Sequence, residues 1–324
     1  MSEWFDEWEV PPEAQPNAGD YGFNLDRALS AVVAVNASIP GDAFTAETLG
    51  TERAGNGVVI REDGIVLTIG YLVTEAQDIS LTAIDGRIVP GHALDYDSAS
   101  GFGLVQALGD LGVPPLPIGD SRHAAVGEKV ITAGAGGRTR SVASHIVARQ
   151  EFAGYWEYAL DEAIFTAPAH PHWGGSALVG SAGELLGVGS LQLQHRTPRG
   201  KVEPLNMVVP IQLLPPLDDL LSGRVQRAAR PWLGVYAQET DGKVVVIGFA
   251  GDGPAHRAGL HEGDAILAVG GMEVTNLADF YRAIWALGEA GVDAPLTLNR
   301  EGDVFDVKVG TRDRRKFLKS PRLH

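Results

Sequence analysis

Short runs of β-branched residues, separated by glycine-containing turns, recur along most of the chain. Residues 31–39 and 56–60 are the first two such runs. Two Asp-Gly pairs, at residues 63–64 and 85–86, lie between further apolar runs, and this arrangement is a strong signal of a β-hairpin. Glycine supplies 41 of the 324 residues, well above its average share. Many short strands with little helix between them predict a mainly β fold, either a barrel or a sandwich.

The charge balance and the absence of cysteine exclude several classes of protein. Asp and Glu number 41 against 26 Lys and Arg, so the formal net charge is -15. Proteins that bind nucleic acids or anionic membranes usually present basic surfaces, so neither partner is expected. With no cysteine, disulfides, thiolate metal ligands and a cysteine nucleophile are excluded. We expect no metal ion and no cofactor.

Neither a membrane span nor an export signal is recognisable. No run approaches the roughly 20 apolar residues of a membrane-spanning helix. A secretory signal peptide needs a basic start followed by an apolar core of about 7–15 residues. Residues 1–13 are instead acidic. These observations lead us to expect a cytoplasmic location.

The two ends of the chain carry opposite charge. The N-terminal end is acidic and we expect it to be flexible, although Trp4 and Trp8 are spaced to form an apolar surface that docks on their own domain or on another copy. The C-terminal end is basic. The predicted organisation is an acidic flexible segment (1–26), a first domain (27–221), a polar linker (222–230), a second domain (231–311) and a basic tail (312–324).

The second predicted domain contains a long motif with fixed spacing. Its members are Gly253-Pro254-Ala255, Ala258-Gly259-Leu260, Gly263-Asp264 and Ile266. This pattern resembles the signature of PDZ domains of the circularly permuted bacterial type, and the upstream run Trp232-Leu233-Gly234-Val235 resembles their carboxylate-binding loop. The resemblance implies that backbone N–H groups of these four residues bind the terminal carboxylate of a peptide, with Gly234 allowing close approach. Residues 278–287 are predicted to form the helix on the other side of the groove.

Four segments of the first predicted domain carry further landmarks. They are GNGVVI (55–60), REDGIVLT (61–68), PIGDS with VGE (117–128) and two glycine-rich turns (174–187). In this order they resemble the trypsin-like protease domain of the HtrA/Deg family. Combined with the PDZ resemblance, this implies a chymotrypsin-like double β-barrel followed by a PDZ domain. HtrA relatives commonly form trimers, so the resemblance also implies a homo-oligomer.

The positions that carry the family's catalytic triad hold other residues here. Tyr71 stands where the family has its histidine base, Gly101 where it has aspartate, and Trp173 where it has the serine nucleophile. Pro171 stands where a glycine donates its N–H to the oxyanion hole, and proline has no N–H. Loss of one oxyanion donor typically lowers turnover about a hundred- to a thousandfold, and loss of the nucleophile or base about a millionfold. We therefore expect no hydrolysis.

Two other interpretations of this region remain open. Ser176 lies three residues after the nucleophile position, with His170 and His172 nearby, so a relocated Ser–His pair is one alternative. The same two histidines could instead hold a metal ion, with His145 or His195 as a distant third ligand. The simpler interpretation is that these residues are structural.

These features predict an HtrA-like protein that does not hydrolyse peptides. It is expected to bind protein C-termini or unfolded peptides through its PDZ domain, as a chaperone, scaffold or regulator. Two alternatives are a serine endopeptidase with a non-standard active site and an oligomeric structural hub.

Overall fold

The computed structural model describes residues 8–196, 200–217 and 228–320. The contacts of these residues separate into two compact units. The first unit contains residues 8–150 and 162–217, together with Ser320. The second unit contains residues 151–161 and 228–319.

The first six strands of the chain form one closed barrel. They are β1 (Val32–Ser38), β2 (Glu52–Val59), β3 (Ile65–Ile69), β4 (Asp78–Thr82), β5 (Ile88–Tyr96) and β6 (Phe102–Ala107), with short helices α1 (Leu25–Ser30) and α2 (Ala46–Leu49) before β1 and β2. Their hydrogen-bonded order is β1-β2-β3-β6-β5-β4, and both predicted Asp-Gly turns connect neighbouring elements of this barrel. Val35, Leu67 and Val105 are fully buried, and burial of such apolar side chains stabilises the barrel.

The next six strands form a second closed barrel in the same unit. They are β7 (Lys129–Ala133), β8 (Ser141–Gly154), β9 (Tyr158–Ala167), β10 (Ala177–Val179), β11 (Leu185–Arg196) and β12 (Val202–Pro210). Their order is β10-β11-β12-β9-β8-β7. Val130, Ile164 and Val208 belong to one buried apolar cluster of this barrel. The expected mainly β fold with a trypsin-like double barrel is therefore confirmed.

The described residues of the second unit form an antiparallel sheet and two α-helices. Its elements are β13 (Val235–Thr240), β14 (Lys243–Phe249), α3 (Pro254–Arg257), β15 (Ala265–Val269), β16 (Met272–Glu273), α4 (Leu277–Ala286), β17 (Asp293–Arg300) and β18 (Asp303–Gly310). The sheet order is β13-β14-β15-β17-β18, with β16 paired to β15. Helix α4 begins where the Asn276 side chain accepts from the Asp279 N–H, and it buries Phe280 and Ile284 on one face against the sheet core.

Residues 151–161, the tip of the hairpin formed by β8 and β9, belong to the second unit. Ala153 and Ala159 pack against the apolar core of that unit. The bounds 27–221 and 231–311 stay predictions. The pattern of strand-forming residues did not indicate that the hairpin tip would pack among residues of the second unit.

Described residues of both terminal segments make defined contacts within their own units. Within residues 8–26, Val10 is 2% exposed and its N–H donates to the carbonyl of Thr139 at 2.8 Å. Because its backbone is hydrogen-bonded and its side chain is buried, Val10 is held in place, and the flexible segment 1–26 stays a prediction. In the basic tail, the Phe317 ring lies 5.0 Å from the Trp232 ring. Trp4, most of the linker and residues 321–324 lie outside the described residues.

Candidate functional site

A cavity of about 440 Å³ is lined by residues of both barrels in the first unit. Its wall is mainly apolar and aromatic. Members of the wall include Trp8, Gly55, Tyr71, Arg140, Pro171 and Trp173. The cavity therefore lies where the sequence places the protease-type site.

Asn56 on β2 connects the loops that form this cavity. Its side-chain amide donates to the carbonyls of His172 at 2.9 Å and Gly174 at 3.1 Å, and its Oδ1 accepts from the Ala135 N–H at 2.8 Å. Asn56 is 4% exposed, so these hydrogen bonds satisfy a buried amide. The loop over residues 171–174 is thus fixed to the first barrel by side-chain hydrogen bonds. Sequence analysis did not single out Asn56, whose partners are distant along the chain.

Tyr71 and Trp173 meet at the cavity. The Tyr71 hydroxyl donates to the carbonyl of Ser190 at 2.8 Å. Burial raises the pKa of Tyr71 above its ordinary value, and a hydrogen bond from the side chain of Trp173 opposes this effect. A phenol held neutral in this way is a hydrogen-bond donor and a poor proton acceptor near pH 7.

Gly101 lies beside the same turn. Its carbonyl accepts from the N–H of Gly70 at 2.7 Å, and Gly70 precedes Tyr71 in the chain. The structure therefore brings the three predicted positions, Tyr71, Gly101 and Trp173, into one region. Pro171 lines the cavity next to them.

Ser176 is fully buried in the first unit. Its hydroxyl donates to the carbonyl of Trp173 at 2.8 Å, and its carbonyl accepts from the Gly189 N–H at 2.8 Å. These contacts hold the glycine-rich turn in place. A hydroxyl without exposure and with a backbone acceptor is poorly placed to attack a substrate carbonyl.

His170 is 1% exposed and its two ring nitrogens have defined roles. Nδ1 accepts from the His172 N–H at 3.0 Å, so Nε2 carries the proton and donates to the Arg140 carbonyl at 2.8 Å. Burial lowers the pKa of His170 to about 4. With both nitrogens engaged, the ring acts as a structural bridge, and no cluster of three potential metal ligands occurs among the residues that the structure describes.

Trp8 covers this pair of histidines. Its ring centroid lies 5.5 Å from that of His170 and 4.7 Å from that of His172, and the Arg140 guanidinium lies 5.9 Å from the indole. Trp8 therefore packs on its own unit, which is one of the two placements expected for the N-terminal tryptophans.

The predicted carboxylate-binding loop lies at the start of the second unit. The N–H of Leu233 donates to Glu157 Oε2 at 3.0 Å, and the N–H groups of Gly234 and Val235 donate to Oε1 at 2.7 and 3.0 Å. Trp232 differs from the prediction, because its N–H donates to the carbonyl of Arg312 at 3.1 Å. Three of the four predicted residues thus converge on one carboxylate.

Gly234 is required at this loop by its conformation. Its φ is 76°, a left-handed value, and a Cβ atom there would lie 3.1 Å from the Trp232 ring and 3.2 Å from the Cα of Gly253. Only glycine meets both conditions without strain. The loop can therefore present consecutive N–H groups in one direction.

Glu157 is the functional residue that sequence analysis missed. Burial raises its pKa to about 7, while the three backbone N–H donors and the nearby Arg314 guanidinium act in the opposite direction. The weak signal in the sequence is an acid between aromatic residues at the tip of a hairpin (FAGYWEY, 152–158). Nothing in that run indicates which N–H groups the carboxylate meets.

Comparison with family models divides the chain in the same way as its motifs. Residues 55–188 match the trypsin-like peptidase domain, and residues 231–311 match the PDZ domain. Both matches include the motifs described above.

Two curated relatives illustrate the similarity. A probable periplasmic serine endoprotease, DegP-like, of Pseudomonas fulva is 28% identical over 277 residues, covering 80% of this chain and 56% of the relative. Serine endoprotease DegS of Salmonella typhimurium is 28% identical over 275 residues, covering 77% of this chain and 74% of the relative. This chain spans about half the length of the DegP-like relatives that it matches.

Solved structures share the fold. The HtrA-type protease AlgW with a decapeptide has a TM-score of 0.53 at 21% identity, covering 92% of this chain and 98% of the other. The serine endoprotease from Yersinia pestis has a TM-score of 0.52 at 24% identity, covering 89% of this chain and 95% of the other.

These comparisons correct the expected cytoplasmic location. The DegP-like relative is named as periplasmic, so the cytoplasmic prediction is wrong. That prediction relied on the acidic composition of residues 1–13, and the composition of one terminal stretch is a weak guide to the compartment in which a fold works.

Within the described parts of the chain, no helix has the length and apolar character needed to cross a membrane. The chain thus contains a trypsin-like peptidase domain followed by a PDZ domain, and it is similar to serine endoproteases of the DegP and DegS type.

Proposed function

We propose that this HtrA-type chain binds protein C-termini or unfolded peptides through its PDZ domain and does not hydrolyse them. The observation that carries the proposal is the convergence of the Leu233, Gly234 and Val235 N–H groups on one carboxylate. A terminal carboxylate is the ligand that such a row of backbone donors suits. The role would be that of a chaperone, scaffold or regulator.

The absence of hydrolysis is argued from the cavity in the first unit. Tyr71 holds its proton and donates to a carbonyl, Gly101 has no side chain, and Trp173 fills part of the cavity wall. Pro171 has no N–H for an oxyanion. These groups supply neither a general base nor a nucleophile.

The relatives bear on two further points. One solved structure of this fold carries a decapeptide, which agrees with peptide binding. The curated relatives are named serine endoproteases, which favours hydrolysis by a non-standard site as the second candidate function. We also propose that the chain is exported, as for the relative named periplasmic, and that it assembles as a trimer. Light scattering of the purified chain tests the assembly.

Hydrolysis is tested by incubating casein for a day with the purified chain and with its Ser176→Ala variant, followed by mass spectrometry of the products. We expect no fragments from either protein. Fragments from the unmodified chain that disappear with Ser176→Ala would overturn the inactive assignment in favour of a relocated nucleophile. Equal cutting by both would show hydrolysis that does not depend on Ser176.

Peptide binding is tested with fluorescein-labelled decapeptides randomised in their last four positions, synthesised with a free or an amidated C-terminus. We expect the full chain to bind the free-carboxylate library and not the amidated one. Gly234→Ala should weaken binding, because it adds strain and a side chain to the loop. Gly242→Ala is the matched control, since its φ of 71° is similar and no atom lies within 4 Å of the added Cβ. Equal loss in both variants would contradict the assignment of the loop.

A further inference from the structure

The carboxylate-binding loop already holds a carboxylate of its own chain. Glu157 accepts from three consecutive N–H groups, at 3.0, 2.7 and 3.0 Å. This is the complete donor set that the loop offers through Leu233, Gly234 and Val235. A peptide terminus bound in the same place would need the same three hydrogen bonds.

The backbone next to Glu157 is hydrogen-bonded to the edge of the sheet. The carbonyl of Tyr155 accepts from the Ala237 N–H on β13 at 2.9 Å. Tyr155 lies two residues before Glu157, and Ala237 lies two residues after Val235. The turn over residues 155–157 is therefore hydrogen-bonded to the edge strand β13, and a sheet edge is where an extended peptide adds.

Helix α4, on the other side of the groove, also holds the hairpin tip. The Tyr281 hydroxyl, on a side chain that is 1% exposed, donates to the Gly154 carbonyl at 2.7 Å. Arg282 forms ion pairs with Glu151 at 2.5 Å and Asp161 at 2.6 Å. The tip is thus bound by the loop, by β13 and by α4, which are the surfaces that would surround a peptide.

Glu157 reaches the loop in a strained backbone conformation. Its φ is 58°, a left-handed value that is unfavourable for a residue with a Cβ atom. Such strain persists only where the surrounding contacts stabilise it. Three hydrogen bonds to the carboxylate supply that stabilisation, so the placement of the side chain is specific.

We infer that the hairpin tip, residues 151–161, is an internal ligand of the PDZ groove, and that a C-terminal peptide enters the groove only by displacing it. The inference rests on the proposed function, since it concerns the same groove. The external ligand is a peptide with a free C-terminal carboxylate. The apparent affinity for that peptide equals the intrinsic affinity multiplied by the fraction of molecules in which the tip is released.

Hydrogen exchange of the full chain without any peptide tests the internal ligand. Glu157→Gly removes the side chain and its three hydrogen bonds, and glycine tolerates the backbone conformation at this position. We expect the amides of residues 233–235 and 237 to exchange at least tenfold faster in this variant. Glu162→Gln is the matched control, because Glu162 is an exposed acid on β9 that pairs with Arg149 at 2.7 Å. Exchange at these amides that is equal in all variants would overturn the internal ligand.

Binding of the free-carboxylate peptide library tests the competition. We expect about tenfold or greater tightening with Glu157→Gly, and no change with Glu162→Gln. Equal binding by all three proteins would overturn the competition. Faster exchange in Glu157→Gly without binding of the library by any protein would instead overturn the proposed peptide-binding function, and the competition with it.

Discussion

The protease-type cavity and the PDZ loop differ in which parts of a functional site they contain. In the cavity, the Asn56 side chain fixes the loops, and Tyr71 and Trp173 line the wall at the two positions that we propose to be those of a base and a nucleophile. In the loop, the three N–H donors are present and correctly oriented, but Glu157 already uses them. The cavity has the expected backbone arrangement with different side chains. The loop has the expected N–H donors, and they are bound to a carboxylate of the same chain.

This difference shows that a sequence motif specifies the backbone geometry of a site. It does not determine whether the site is free to bind a ligand. The glycine-rich turns near Trp173 are recognisable because the frame requires them, whatever chemistry the side chains supply. The loop at Gly234 is recognisable because its conformation requires glycine. Whether either site accepts a ligand depends on residues that lie outside the motif.

The largest expected effect concerns the frame of the cavity. Gly175 has a φ of 75°, and a Cβ there would overlap the Asn56 carbonyl and lie 2.6 Å from Thr68 Oγ1. We expect Gly175→Ala to lower the free energy of unfolding by about 3 kcal/mol or more, from strain and overpacking together. Gly86→Ala, with a φ of 85° and no atom within 4 Å, should lose about 1 kcal/mol from strain alone. Urea unfolding of both variants measures this, and equal losses would mean that the frame is not tightly packed.

The second effect concerns pH at the loop. Burial raises the pKa of Glu157 to about 7 from an ordinary value of 4.5, and Arg314 and Tyr281 are the other titratable groups that interact with it. The bound tip therefore holds a proton that the released tip loses, so its binding is strongest below pH 4.5 and weakens as the pH rises to 7.

Hydrogen exchange corrected for intrinsic rates measures this weakening. We expect the protection of the amides of Gly234 and Val235 to fall roughly ten- to a hundredfold between pH 5 and pH 7.5. Glu157→Gln has no titrating group at this position and should show no such change. If protection of these amides in the unmodified chain rises with pH, the raised pKa assigned to Glu157 is contradicted.

The third effect separates a structural from a chemical role of Tyr71. Tyr71→Phe leaves the carbonyl of Ser190, a residue 4% exposed, without its donor. We expect a loss of about 1–2 kcal/mol in the free energy of unfolding and unchanged behaviour towards casein. Tyr155→Phe, at a residue 46% exposed, serves as the control and should change stability little. A loss of peptide cleavage with Tyr71→Phe would contradict the structural role.

The smallest effect concerns the exposed ion pairs of the hairpin tip. Arg282 is 44% exposed and pairs with Glu151 and Asp161. Such pairs contribute little in water, so Arg282→Ala should tighten peptide binding only about two- to threefold, with the difference shrinking at high salt. Arg257→Ala, which removes an exposed pair with Asp252, is the control. A tenfold tightening of peptide binding by Arg282→Ala would mean that the tip is held mainly by its ion pairs with α4 and not by Glu157.

The parts of the fold that were predictable are those with local signals. The Asp-Gly turns, the alternating strands and the motif around Ala258-Gly259-Leu260 each depend on neighbours within a few residues. Helix α4 was predicted within one residue of its observed start at Leu277. The contacts of Glu157 could not be predicted, because its three hydrogen bonds join residues 76 to 78 positions apart. The bridge formed by Asn56 joins residues up to 118 positions apart.

The open sheet of the second unit has a consequence for solubility. The barrels of the first unit are closed, whereas β13 and β18 lie at the two ends of the strand order of the open sheet. Asp303, Asp306 and Lys308 place charges along β18, and charges on an edge oppose pairing with a foreign strand. The first half of β13 has the apolar pattern Val235–Ala237 and is covered by the hairpin tip instead. The same segment that occupies the groove therefore also shields the molecule from edge-to-edge aggregation, so any ligand that removes it must cover that edge in turn.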